Sequence, residues 1–215
     1  MHPYGTDSNE RFYVLAFLVP LSFWLSGLAT EQIERARLSW PAEADFLADP
    51  TSAAFVYGAL YALFNAYLWR LGVLRWIGLV STPDLNGTWR GVLRSSHDDF
   101  ATEKALDLTI EQSWTRMVVR IRTAQSASHS RTASLLLNAG PGKTLSYTYL
   151  NQPNTAEGEA MAIHQGTAVL VLHGGARPHR LEGEYYNSRG RRTFGQISVA
   201  RFPSRERSSS SGEVC

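Results

Sequence analysis

ALDLTIEQSWTRMVVRIRT, residues 105–123, alternates apolar and polar side chains in two successive runs. Leu106, Leu108 and Ile110 share one face of the first run. Met117, Val119 and Ile121 share one face of the second, with Arg116, Arg120 and Arg122 opposite. A repeat of two is the signature of a β-strand with one face buried. The same alternation continues on both sides of this pair. Strands are predicted over Asn86–Ser95, Glu103–Gln112, Thr115–Thr123, Arg131–Leu137, Thr144–Asn151, Ala160–Leu172, Leu181–Asn187 and Arg191–Phe202. Turn residues bound each of them.

No helical stripe of ten residues separates these strands, which excludes a parallel βαβ architecture. Eight antiparallel strands in about 120 residues predict a small closed β-barrel, lipocalin-like, holding side chains or one ligand inside. The barrel is expected over residues 84–203. It begins after Ser81-Thr82-Pro83-Asp84, where Pro83 ends any preceding helix. Residues 204–215 contain RERSSSSGEVC, a low-complexity segment expected to be disordered.

The N-terminal region, residues 1–83, reads differently. Phe12 to Ala29 is eighteen residues without a charge, roughly 27 Å of helix and close to the thickness of a bilayer core. A second uncharged run, Ala53 to Trp69, ends at Arg70, and WRLGVLRW sets Arg70 and Arg75 beside Trp69 and Trp76. Such pairing of rings and cations belongs at a membrane interface. A cleaved signal peptide is disfavoured, because Asp7 and Glu10 precede the first run with only Arg11. Two transmembrane helices, about 12–29 and 53–76, are therefore expected to form a hairpin. Arg11, Arg70 and Arg75 flank one side, whereas the intervening loop carries five acids against Arg35 and Arg37. The positive-inside rule then places the barrel in the cytoplasm, making this a multi-pass protein of the bacterial inner membrane. The single cysteine, Cys215, agrees with a reducing compartment.

Composition narrows function. The chain is 44% hydrophobic and 19% charged, with net charge +2. Residues 1–83 carry five Arg against seven acids, net −2, and residues 84–215 sixteen Lys/Arg against twelve, net +4. That balance suits an anionic small ligand and falls short of a nucleic-acid polymer. GxSxG, HExxH, P-loop and GxGxxG patterns are all missing. His97-Asp98-Asp99 reads as a charged turn, and His129, His164, His173 and His179 lack ligand spacing. An enzyme is not expected.

Two places carry more information. Gly87-Thr88-Trp89 opens the first strand, and Arg201 on the last strand is expected to lie across the Trp89 ring and close the barrel floor. The segment Tyr185-Tyr186-Asn187-Ser188-Arg189-Gly190-Arg191-Arg192-Thr193 reads as a hairpin turning at Arg189-Gly190. If Leu181 and Gly183 point inward, so do Tyr185 and Asn187; if Ile197 and Val199 point inward, so do Thr193 and Arg191. Tyr185, Asn187, Arg189, Arg191, Arg192 and Thr193 then gather at one barrel mouth. A nucleotide needs that set: a ring for stacking, amide and hydroxyl groups for base edges, guanidinium for phosphate. A solvated basic hairpin that only protects an edge is the other reading of the same residues.

At these residues the chain resembles a known family. ST-P-D-L-N-G-T-W-R-G at 81–91, L-E-G-E-Y-Y-N-S-R at 181–189 and R-T-F-G-Q-I at 192–197, behind two apolar segments, resemble the two-transmembrane, β-strand-rich effectors of bacterial CBASS anti-phage systems. The similarity spans about residues 12–203. It implies a cytoplasmic β-barrel that receives a cyclic di- or trinucleotide from a partner nucleotidyltransferase. It further implies a homo-oligomer on activation that disrupts the lipid bilayer in abortive infection, with no cofactor. The alternative is a membrane-tethered lipocalin-like binder of a small apolar ligand.

Overall fold

The computed structural model describes residues 1–37, 52–138, 140, 142–154, 162–188 and 192–203. They divide into two compact units: Met1–Asp7 together with the residues from 83 onward, and Ser8–Thr82.

The first unit is a closed barrel. All eight expected strands are present, as β2 (Gly87–Ser95), β3 (Lys104–Gln112), β4 (Arg116–Thr123), β5 (Ser126–Leu136), β6 (Thr144–Pro153), β7 (His164–His173), β8 (Arg180–Asn187) and β9 (Phe194–Arg201). Each pairs antiparallel with the next, and β9 returns to β2. Leu106, Leu108, Ile110, Met117, Leu145, Leu170, Leu181 and Val199 fill the interior, as the alternation requires. His97-Asp98-Asp99 is a turn, with Asp99 in the left-handed region.

A ninth strand, β1 (His2–Thr6), makes the sheet mixed. It lies antiparallel to β4 and parallel to β5, wedged where these two part. β4 and β5 bond directly only from Arg120↔His129 to Arg122↔Ala127, and a bulge between Ser130 and Thr132 bends β5 away. Ser130 sits at the fork. Its Oγ accepts the Val119 N–H at 2.9 Å and lies 2.7 Å from His2 Nε2. Tyr4 is buried and donates to Trp114 O at 2.6 Å, while Asp7 accepts the backbone N–H groups of Leu137 and Asn138. Residues 1–7 therefore belong to the barrel and not, as their position in the sequence suggested, to the membrane region. Five residues with two prolyl and glycyl interruptions are too short to announce a strand by periodicity.

The closed end is built by 83–89. Trp89 is fully buried and donates from Nε1 to Leu85 O at 3.1 Å. The Arg201 guanidinium stands 4.3 Å from its ring centroid, as expected, and donates to the carbonyls of Pro178, Asp84 and Asn86. Gln112 accepts the Leu85 N–H and donates to Pro83 O.

The second unit contains α1 (Glu10–Arg37), α2 (Ala53–Ala66), a 3₁₀ turn (Leu68–Arg70) and α3 (Gly72–Trp76). Residues 10–32 of α1 have mean hydropathy 1.9 and are long and apolar enough to cross a membrane, with Phe12, Tyr13, Phe17, Phe23 and Trp24 exposed. α2 packs on α1. The expected second span over 53–76 is not one helix. Ser52 caps α2, which has 14 residues, about 21 Å and short of a bilayer core. Tyr67 and Leu71 leave helical geometry and break the path to α3. Arg70 and Arg75 flank Trp69 at 5.2 and 6.0 Å. The Glu10 carboxylate accepts bonds from Ser81 and Thr82, tying the two ends of this unit together.

Because β1 completes the seam, Tyr4→Ala should cost about 3–5 kcal/mol of barrel stability. Denaturant unfolding of the full chain in detergent checks this; an unchanged midpoint would remove β1 from the stabilising core.

Candidate functional site

Opposite the Trp89 floor the barrel opens into a cavity of about 100 Å³ that is open to solvent. Four strands supply its chemistry. β6 presents Tyr149 and Asn151, β8 presents Tyr185 and Asn187, β7 presents His164 and β3 presents Lys104, with Ser95, Thr123, Gln125, Ser126 and Ser128 around them. Leu93, Ile121 and Ile197 form the apolar part of the wall.

Register explains why these groups meet. Tyr149 stands opposite Gly166, and Gly166 opposite Asn187. A Cβ on Gly166 would come within 2.4 Å of the Tyr149 Cζ and hydroxyl, so glycine there makes room for the phenol. Across that gap Tyr149 donates to Asn187 Oδ1 at 2.8 Å, and Asn187 Nδ2 donates to Thr193 Oγ1 at 2.7 Å. Gly195 does the same for Tyr185, whose ring carbons would lie 2.4 and 2.7 Å from an added Cβ. Two glycines, on β7 and β9 either side of β8, thus set two tyrosine rings into the cavity wall. His164 Nδ1 lies 3.0 Å from Ala162 O. That contact calls for a protonated Nδ1, which leaves Nε2 as the acceptor in the neutral ring.

The residues expected from the sequence separate. Tyr185 and Asn187 line the cavity, and Thr193 holds Asn187. Arg192 is exposed and is not among the lining residues, because the same parity that turns Thr193 inward turns its neighbour out. Arg189 and Arg191 lie outside the described residues. Tyr149, Asn151, His164 and Lys104 were missed. The signal was present for the first two: Tyr147-x-Tyr149-x-Asn151 on β6 has the same alternation as Gly183-x-Tyr185-x-Asn187 on β8. Lys104 and His164 head their strands and carry no pattern of their own.

The lining joins aromatic rings, amides, hydroxyls and one lysine, and no carboxylate appears among the described lining residues. Rings stack on planar bases, amides match base edges, and the lysine ammonium offers a cation to an anion. Gly166→Ala should therefore displace Tyr149 and lower stability by about 1–3 kcal/mol. Thermal unfolding of the full chain reads this directly; a neutral result would mean that the Tyr149 ring and the Tyr186 carbonyl, 2.5 Å from an added Cβ, both have space to move.

Comparison with known proteins agrees with this geometry. Residues 80–201, which take in β2 to β9, match the family model described as Cap15, cyclic dinucleotide receptor domain. A relative from Yersinia aleksiciae, CD-NTase-associated protein 15, is 30% identical over 188 residues, covering 87% of each chain. With the match extending over barrel and helices alike, the chain belongs to the Cap15 family, the CBASS effectors that its sequence resembles.

Proposed function

We propose that the cavity binds a cyclic dinucleotide made by a partner nucleotidyltransferase, and that binding drives assembly of the helical unit and breaches the bacterial inner membrane. The observation that carries the reading is the pairing of two Tyr-x-Asn units, Tyr149/Asn151 and Tyr185/Asn187, around one lysine-bearing cavity. Two rings and two amides suit a ligand with two bases, and Lys104 suits its phosphates. An apolar ligand would leave these polar groups desolvated without partners, which counts against the tethered-lipocalin alternative. The chain acts as a receptor in this reading, with the barrel on the cytoplasmic side and no chemistry performed on the ligand.

The membrane step follows from thermodynamics and helix length. A ligand shifts only an equilibrium between states it binds differently. Two helices enclose no aqueous path, so assembly of several copies is the state to be favoured. α1 spans the bilayer, and α2 inserts beside it, where its 14 residues thin the membrane locally. Gly58, Ala59, Ala62 and Ala66 permit close approach of helices, and Asn65 bonds between them.

Calorimetry of the full chain against a panel of cyclic dinucleotides tests the binding step. Asn187→Ala should weaken the best ligand by about 1–3 kcal/mol. Heat from fatty acids with none from any cyclic nucleotide would favour the lipocalin-like alternative instead.

A second measurement separates binding from damage. Asn65→Leu should keep nucleotide affinity while reducing ligand-dependent dye entry into cells. Crosslinking followed alongside should show fewer assemblies; dye entry by a protein that stays monomeric would refute assembly as the mechanism.

A further inference from the structure

Beneath the cavity lies a polar group with nothing to bond. Tyr147 is 2% exposed, and its hydroxyl is buried without a hydrogen-bond partner. Burial, and then the neighbouring Tyr149, push its phenol far above the usual tyrosine range, so it stays a protonated donor at every working pH. An orphaned buried hydroxyl destabilises a fold that phenylalanine would fill equally well. Its surroundings point upward to the site. Tyr147 and Tyr149 share the inward face of β6, with ring centroids 6.2 Å apart. In register Tyr147 faces Ala133 on β5 and Ala168 on β7, and Ala168 faces Tyr185, which lines the cavity. Two alanines flank Tyr147 at the level where the cavity ends.

We propose that Tyr147 is a ligand-contacting residue, its hydroxyl donating to a ring nitrogen or carbonyl oxygen of a base that reaches below Tyr149. The proposal rests on the cavity being a nucleotide site. It adds that the ligand goes deeper than the open space of the free barrel, with Tyr149 moving aside to admit it. The donor selects for a base with an acceptor at the inserted edge, which makes Tyr147 a determinant of specificity.

The test compares the full-length chain and Tyr147→Phe in detergent. Each is unfolded thermally without nucleotide and titrated calorimetrically with cyclic dinucleotides covering all pairings of the four bases. Tyr147→Phe should unfold at the same or a higher temperature, yet bind the best ligand about tenfold more weakly. An analogue lacking the acceptor (a deaza base for a ring nitrogen, a deoxo base for a carbonyl oxygen) should lose affinity for the unsubstituted chain and nothing further on Tyr147→Phe. Both results are required. Affinity within twofold of the unsubstituted chain overturns the proposal. So does a lower unfolding temperature or failure to fold, which would mark the hydroxyl as held by a buried structural water. If the unsubstituted chain binds no cyclic dinucleotide, the parent reading fails and this inference falls with it. A wild-type titration with an unaffected variant overturns only the role of Tyr147.

Discussion

The seam between β4 and β5 is the constraint on which the barrel depends. An eight-stranded sheet must close on itself or leave two edges of unpaired backbone. Here the last pairing is made directly at only three register positions, Arg120↔His129 to Arg122↔Ala127. Below them the strands diverge around the bulge after Ser130, and β1 fills the gap with bonds to both sides. The Val119 N–H, left without a strand partner at the fork, is taken by the Ser130 hydroxyl. Closure is thus shared between a short hairpin contact and a five-residue strand from the N-terminus.

The division of labour along the barrel axis follows from that closure. One end is sealed by Trp89, Arg201 and the carbonyls of 83–89, where a guanidinium finds both a ring and three backbone acceptors. A sealed floor leaves the other end to carry function. The Pro83–Gly91 motif, the most specific part of the family resemblance, belongs to the floor, whereas the cavity is assembled from residues scattered over β3, β6, β7 and β8. The Ser130 fork and the cavity residues Gln125, Ser126 and Ser128 lie on the same stretch of chain. β1 leads within three residues, Asp7 to Asn9, into α1. The cavity and β1 therefore share one seam of the barrel.

Legibility differed by element for identifiable reasons. The strands of the barrel were readable because residues such as Leu106, Leu108 and Ile110 alternate strictly over a buried face. Tyr185 and Asn187 were readable for the same reason, once Leu181 fixed the parity. β1 was not readable: Pro3 and Gly5 are poor strand formers, and its stability comes from β4 and β5, more than a hundred residues away. The second apolar segment was read as one continuous helix because hydropathy sees composition. The breaks at Tyr67 and Leu71 are conformational and leave no mark on a hydropathy profile.

By itself the sequence determined the class of every long element: an apolar helix from the absence of charge over 12–29, and a barrel from period-two alternation, since both are local consequences of burial on one face. It also pointed to the cation–π floor, through the resemblance of Gly87-Thr88-Trp89 and Arg201 to the floor of lipocalin-like barrels. Tertiary structure decided which side chains share the cavity. Register places Tyr149 against Gly166 and Asn187, and a shift of one residue would have turned all three to the other face. Pairing between strands distant in the chain depends on where bulges and seams fall, and no local pattern encodes that position.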